Sequence, residues 1–120
     1  MQSNKEKNLI VDLTFNFALN IIKYLEILEI NKKFVIARQL LKSGTSIGAN
    51  VREAQNAESK VDFIHKMKIA AKEADETEYW LLLCKQSDNY ENCDLLLNEC
   101  ASIIRVLSKI IASSKSGLKP

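Results

Sequence analysis

The sequence predicts an all-α protein, an up-down-up-down antiparallel four-helix bundle. Three observations predict it. Apolar residues recur at steps of three and four along four separate stretches, which is the spacing of a helix face and not the alternation of a strand. The breaks between these stretches are a few residues long, so consecutive helices are expected to be antiparallel neighbours. Composition agrees: 47% hydrophobic residues with one proline in 120 residues suits one compact helical core and is too short for a second.

Residues 1–7 are polar and are expected to be loose. The first helix is predicted over about 9–30, from Ile10, Leu13, Phe17, Ile21, Tyr24 and Leu28, with a second apolar set, Phe15, Leu19 and Ile22, off that stripe. Asn31-Lys32-Lys33 is the only break before periodicity resumes, and Asn31 reads as an N-cap. The second helix is predicted over about 33–56. Its core face reads as Ala37, Leu40, Leu41, Gly44, Ile47, Gly48, Val51 and Ala54, while Gln39, Lys42, Ser46, Asn50 and Glu53 fall nearly opposite. Two glycines in a helix interior each cost about 1 kcal/mol relative to alanine, so Gly44 and Gly48 imply close approach of another backbone.

Ser59 and Asp62 have the spacing of a capping box and open the third helix, predicted over about 60–86. Its core stripe is Phe63, Ile64, Met67, Ala70, Ala71, Ala74, Leu81 and Cys84, and the small residues in its middle are where the glycine face of the second helix is expected to press. A second stripe, Ile69, Glu73, Glu76, Trp80 and Leu83, lies far from the first, so a monomer would expose the tryptophan. After Ser87-Asp88-Asn89, where Asp88 or Asn89 would cap, the fourth helix is predicted over about 90–113. Cys93, Leu96, Leu97, Cys100, Ala101, Ile103, Ile104, Leu107, Ile110 and Ile111 cover about half its circumference. Residues 114–120 show no periodicity and read as a flexible tail. The excess apolar width of the third and fourth helices predicts a contact surface between copies.

Function classes narrow by elimination. Lys and Arg number 17 against 15 acidic residues, and a net charge of +2 gives no strong field to draw in nucleic acid, so such binding would need a local patch. Candidates are Lys32, Lys33, Arg38, Lys42 and Arg52 around the second helix, and Lys60, Lys66, Lys68 and Lys72 on the third; a solvated helix face explains the same residues. With no aromatics among the lysines, phosphate and shape recognition is expected and base stacking is not. Cys84, Cys93 and Cys100 are odd in number and form no Cys-x-x-Cys pair, which suits free buried thiols in a reducing cytoplasm. The start lacks the apolar region of a secretory signal, and no run approaches the roughly 20 apolar residues that span a bilayer.

Asp62-x-x-His65 has the spacing used by di-metal bundles, and Glu73 and Glu76 add two carboxylates. Such sites take a Glu-x-x-His from each of two helices, however, and this chain has a single histidine, which the helical wheel puts away from the core. Neither Ser46 nor Cys84 sits in a setting that activates a nucleophile, and the glycines lie inside a helix where no nucleotide cradle forms. The expectation is no enzyme activity and no cofactor.

Three ordered motifs remain. Ser46, Ile47, Asn50 and Glu53 form Ser-Ile-x-x-Asn-x-x-Glu; Ser59, Asp62, Phe63 and Ile64 form Ser-x-x-Asp-Phe-Ile; Glu73, Glu76, Thr77, Trp80 and Leu81 form Glu-x-x-Glu-Thr-x-x-Trp-Leu. Together they resemble the 23S rRNA intervening-sequence proteins over residues 9 to 112. That resemblance implies a four-helix bundle that assembles as a homo-oligomer, a pentameric ring, with no established enzyme activity; relatives include the accessory protein of diversity-generating retroelements. Asn50, Glu53, Arg38, Arg52, Ile69, Glu73, Glu76, Trp80 and Leu83 are then candidates for a subunit interface or binding face, with Arg38 and Arg52 facing Glu73 and Glu76 of an adjoining chain. The reading is a non-enzymatic homo-oligomer that binds structured RNA or a nucleoprotein. The alternatives are a reverse-transcriptase accessory subunit, which the modest charge disfavours, a ligand-free structural oligomer, and a metal-dependent enzyme using Asp62, His65, Glu73 and Glu76.

Overall fold

The computed structural model describes the backbone of residues 4–117 and the side chains from Leu9 onward. Four helices follow one another: α1 (Asn4–Ile30), α2 (Phe34–Ala54), α3 (Lys60–Gln86) and α4 (Asp94–Ser116). Each packs on its neighbours in a closed square, α1 on α2, α2 on α3, α3 on α4 and α4 on α1, while diagonal helices do not meet. The result is a four-helix bundle, 53 Å long and 22 × 21 Å across.

The buried residues explain why the helices associate this way. Along α1 the main stripe is Ile10, Thr14, Phe17, Ile21, Tyr24 and Leu28, with Leu25 buried beside it; from the N-cap Cys93 along α4 it is Leu96, Cys100, Ile103, Leu107, Ile110 and Ser114. The steps alternate strictly between three and four, an average of 3.5 residues, so each stripe winds slowly and keeps facing its neighbours at the shallow crossing angle of a bundle. α2 keeps the same rhythm through Ala37, Leu40, Gly44, Ile47, Val51 and Ala54, and α3 through Ala70, Ala74, Thr77, Leu81 and Cys84.

Four polar residues take core positions that an apolar reading passes over: Thr14, Ser43, Thr77 and Ser114. The Thr14 hydroxyl donates to the Ile10 carbonyl at 2.8 Å, satisfying itself within its own turn. The Thr77 hydroxyl lies 2.9 Å from Ser43 Oγ and 2.7 Å from the Glu73 carbonyl, a polar link between α2 and α3 in the dry interior. Leu41, expected in the core, is instead 45% exposed, because the stripe steps from Leu40 to Gly44 and leaves it on the α1 side.

The glycines press on a different helix from the one expected. A Cβ at Gly44 would stand 3.0 Å from Ile21 Cγ1, and one at Gly48 would stand 3.3 Å from the Thr14 carbonyl oxygen. Both contacts are with α1, and the side of α2 that meets α3 carries Ser43. On the α4 side of α3, the Ala74 carbonyl accepts from the Cys100 thiol at 3.4 Å.

The connections also depart from expectation. Asn31 is no N-cap; its amide donates back to the Ile27 carbonyl. Lys32 takes φ 61°, and the N–H groups of Lys33 and Lys32 bond to the carbonyls of Leu28 and Glu29 at 2.8 and 2.9 Å, a Schellman closure that ends α1 without glycine. α2 accordingly spans 34–54 and not 33–56. Ser59 caps α3 as the sequence indicates, its hydroxyl accepting from the Asp62 N–H at 3.0 Å.

Between α3 and α4 the loop is longer than Ser87-Asp88-Asn89. Neither Asp88 nor Asn89 caps; Asn89 turns the chain at φ 66°, and Asn92 Oδ1 accepts from the Asp94 N–H at 2.9 Å. The Tyr24 hydroxyl donates to the Glu91 carbonyl at 2.7 Å, holding this loop to α1, so the fourth helix begins at Asp94 and not near 90. Its other end corrects the predicted tail: helix continues to Ser116, because Ser114, 1% exposed, takes the next core position after Ile110. At the first end, residues 4–7 are helical where a loose segment was expected; Met1, Gln2 and Ser3, like Leu118, Lys119 and Pro120, lie outside the described residues.

Candidate interaction surfaces

Two surfaces stand out, on different sides of the bundle. The first runs along α1 and α2. Phe15, Leu19 and Ile22 are spaced by four and three on α1, so they form one outward strip, with Phe15 56% exposed. Phe34 and Leu41 extend it across α2. Since glycine and alanine at 44, 48 and 49 lower the α2 surface here, two shallow grooves open between the helices. One, about 470 Å³, is lined by Asp12, Phe15, Ala18, Thr45, Gly48 and Arg52; the other, about 380 Å³, by Ile22, Glu26, Glu29, Phe34, Arg38 and Leu41. Among the described residues the ion pairs are Lys66 with Glu53 and Lys85 with Asp94, which leaves Arg38 and Arg52 with no carboxylate in pairing range.

The exposed apolar surface therefore lies mainly on α1 and the start of α2. The expectation placed it on the third and fourth helices. Leu97, Ile104 and Ile111 of α4 are half-buried and pack on the core, so the wide apolar arc of that helix is consumed inside the subunit.

The second surface is the outer edge of α3 beside α2. The hydroxyl link of Ser43 with Thr77, and Lys66 Nζ at 3.1 Å from Glu53 Oε1, fix the antiparallel register of these helices. Ser46 and Asn50 then fall roughly level with Glu73 and Ile69. The motif residues thus gather along one seam within one subunit, which the helical wheel of α2 alone does not reveal. Asn50 is half-buried, and its amide donates to the Ser46 carbonyl at 2.8 Å. Glu53 is exposed and holds Lys66, whose ammonium it keeps above its ordinary value. Trp80 is half-buried and packs on the core, not bared as expected; its Nε1 donates to Glu76 Oε2 at 3.1 Å, and Tyr79 meets it edge-on with ring centres 5.4 Å apart. Tyr79, Leu82 and Leu83 are the exposed apolar residues of this half of α3.

The other named candidates scatter. Lys32, Lys42, Lys68 and Lys72 are exposed; Lys33 lies over the Tyr90 ring, 4.8 Å from its centre; Lys60 is half-buried against the end of α4. Asp62 caps α3 and His65 is exposed, and among the described residues no three of His, Cys, Asp and Glu come together in a metal-holding arrangement. The thiols are not activated nucleophiles. Burial pushes Cys84 up to about 11 and Cys100 up to about 12, and it raises Cys93, whose thiol donates to the Leu81 carbonyl at 3.3 Å. Among the described residues no helix is long and apolar enough to cross a membrane.

Comparison with known proteins agrees with this architecture. The family described as 23S rRNA-intervening sequence protein matches residues 6–109. A crystal structure of a protein of unknown function from the S23 ribosomal protein family of Bacteroides thetaiotaomicron VPI-5482 superposes with a TM-score of 0.85 at 41% sequence identity, covering 89% of this chain and 98% of that one. No curated protein matches the chain. On this match the chain belongs to the family of 23S rRNA-intervening sequence proteins.

Proposed function

We propose that this protein is a non-enzymatic homo-oligomer, built by seating the α3 edge of one copy in the α1–α2 grooves of the next. The carrying observation is the apolar strip of Phe15, Leu19 and Ile22 beside Arg38 and Arg52, which among the described residues have no carboxylate in ion-pair range, although Asp12, Glu26 and Glu29 line the same grooves. The α3 edge offers the complement: Glu73 and Glu76 with Trp80 and Leu83. A second copy of the chain is the occupant that supplies both the apolar contact and the acids. The two surfaces differ and lie on adjacent sides of the bundle, so the contact is head-to-tail, and it generates a ring if the rotation between subunits closes. The family resemblance implies closure at five subunits. Three buried free thiols suit a reducing cytoplasm as the place of action.

The test is sedimentation equilibrium on single and mixed variants. Phe15→Glu blocks the groove and Glu76→Arg blocks the edge, so each alone is expected to be monomeric. Their mixture is expected to stop at a heterodimer, because one intact groove and one intact edge remain. A wild-type monomer, or a mixture that forms no dimer, would refute the arrangement.

A second reading has its own observation. Lys68 and Lys72 of α3 and Lys109 and Lys115 of α4 are exposed, on the two helices away from the α1–α2 grooves, and favour structured RNA or a nucleoprotein as the partner. A ring would repeat that patch and raise weak phosphate binding through multivalency.

A further inference from the structure

We propose that ring closure sets the register of the contact between copies, so that Arg52 takes Glu73 of the neighbouring copy while Arg38 borders the apolar half of the same interface. This rests on the assembly reading above and assigns its ion pair. The two grooves lie end to end along the α1–α2 seam, one beside residues 11–18 and the other beside residues 22–29, and a helix edge fills both only by lying lengthwise. Subunits aligned lengthwise and joined head to tail close only by rotation about an axis parallel to their helices. Such a rotation leaves every residue at its own height. The heights that meet across the contact are therefore the heights that match within one subunit.

On α2 and α3 those heights are set by the Ser43–Thr77 hydroxyl link and the Glu53–Lys66 ion pair, at 2.9 and 3.1 Å. Counted from either pair along antiparallel helices, Glu73 stands level with Ser46 and Ile47, and Glu76 with Ser43 and Gly44. Arg52 is then offset from Glu73, and Arg38 from Glu76, by about 8 Å along the bundle at 1.5 Å per residue. The lean of the side chains separates the two cases, since each points toward the N-terminus of its own helix. Arg52 leans toward the level of Glu73, over the turn of Gly48 and Ala49 whose groove it lines, and Glu73 on the antiparallel helix leans toward Arg52. Arg38 and Glu76 lean apart by the same rule, and Glu76 is already held by the Trp80 indole N–H at 3.1 Å. The Glu73 side chain is half-buried, and among the described residues its carboxylate has no hydrogen-bond or ion-pair partner. The α3 residues level with Arg38 are Leu81 and Leu82, which sets Trp80 and Leu83 of the neighbour's edge opposite the groove of Ile22, Phe34 and Leu41.

Sedimentation equilibrium of Arg52→Glu, Arg38→Glu, Glu73→Arg and the double variant Arg52→Glu/Glu73→Arg tests the register, with circular dichroism confirming that each keeps its helices. Like charges set together in the contact are expected to raise the dissociation midpoint of Arg52→Glu and of Glu73→Arg by about 100-fold or more. The double variant carries the reversed pair in every contact and should return to within about tenfold of wild type. Arg38→Glu is expected to shift the midpoint by no more than about tenfold, and Arg38→Glu/Glu73→Arg should remain as weak as Glu73→Arg alone. Rescue of Glu73→Arg by Arg38→Glu instead, or a double variant Arg52→Glu/Glu73→Arg no better than its single parents, overturns the register and leaves the assembly standing. A wild type that sediments as a monomer overturns the assembly and the register together.

Discussion

Alanine substitutions at Gly44 and Gly48 are expected to act in opposite directions, although both glycines lie on one helix four residues apart. Helix propensity favours alanine over glycine by about 1 kcal/mol at either position. Packing decides the rest. At Gly44 a Cβ would meet three atoms of Ile21, at 3.0, 3.1 and 3.3 Å, and Ile21 is fully buried. Its branched Cβ leaves essentially one helical rotamer, so it cannot turn aside, and overpacking of this kind costs about 1–3 kcal/mol. At Gly48 the contacts are 3.3 Å to the Thr14 carbonyl and 3.4 Å to the Thr14 side chain, at a half-buried position bordering an open groove, so a shift of a few tenths of an ångström relieves them.

The net expectation is a loss of about 1 kcal/mol for Gly44→Ala and a gain of about 0.5 kcal/mol for Gly48→Ala. The difference of about 1.5 kcal/mol is firmer than either value, because the propensity term cancels. Urea unfolding followed by circular dichroism measures it, and at an m value near 2 kcal/mol/M the two midpoints should stand about 0.75 M apart. Both substitutions are best read in a Phe15→Glu background, since self-association shifts apparent stability by mass action and Gly48 lines the proposed interface. A Gly44→Ala variant as stable as its parent, or a Gly48→Ala variant the more damaged of the two, would show that α1 does not approach α2 as described.

Thr77→Val is expected to destabilise by about 1–3 kcal/mol, because it leaves the Ser43 hydroxyl buried beside an apolar group, and adding Ser43→Ala should recover part of that loss. A double-mutant cycle with coupling below about 0.5 kcal/mol would remove the hydroxyl link from the account. Stability should also fall with alkaline pH: the thiols of Cys84 and Cys100 keep their protons in the fold to about 11 and 12, against 9.0 for an ordinary thiol. Their contribution is complete below pH 9 and is lost above it, where the unfolded chain releases protons that the folded chain retains, at about 1.4 kcal/mol per thiol per pH unit. Urea midpoints between about pH 8 and pH 10 measure the slope, and Cys100→Ala should make it shallower; an unchanged slope would mean that Cys100 titrates freely in the fold.

The bundle was legible in the sequence because its core repeats every three and four residues, and the apolar members of that repeat alone suffice to place four helices. Thr14, Thr77 and Ser114 were missed because hydrophobicity was asked of every core position. The signal was nonetheless there: Thr14 falls between Ile10 and Phe17, Thr77 between Ala74 and Leu81, and Ser114 four residues after Ile110. Spacing without hydrophobicity would have extended the last helix and made Lys115 part of it. The turns were misjudged for a different reason. A lysine and an asparagine in the left-handed region do what glycine usually does, and the Tyr24 bond to Glu91 O that holds the 87–93 loop joins residues remote in sequence. The fourth helix was expected to be bared because a wheel cannot distinguish a wide arc buried by two neighbours, as in α4, from one left open, as in α1; the second stripe of α3 does expose Leu83.

Closure of the square explains how assembly and partner binding could share so small a protein. In the order α1, α2, α3, α4 every helix has two neighbours, so the α1–α2 side lies opposite the α3–α4 side. Exposed apolar residues lie mainly on the first, with Arg38 and Arg52, which among the described residues have no ion-pair partner; Lys68 and Lys72 of α3 and Lys115 of α4 are exposed toward the second, and Glu73 and Glu76 lie on the α3 edge between them. A head-to-tail contact of the proposed kind would leave the exposed lysines of α3 and α4 in solvent in every subunit. A net charge of +2 per chain is then no measure of the field a partner meets, because acids such as Glu73 and Glu76 would be neutralised against arginines inside the contacts while the lysines repeat around the ring. Self-association would thus concentrate positive charge without adding a single basic residue.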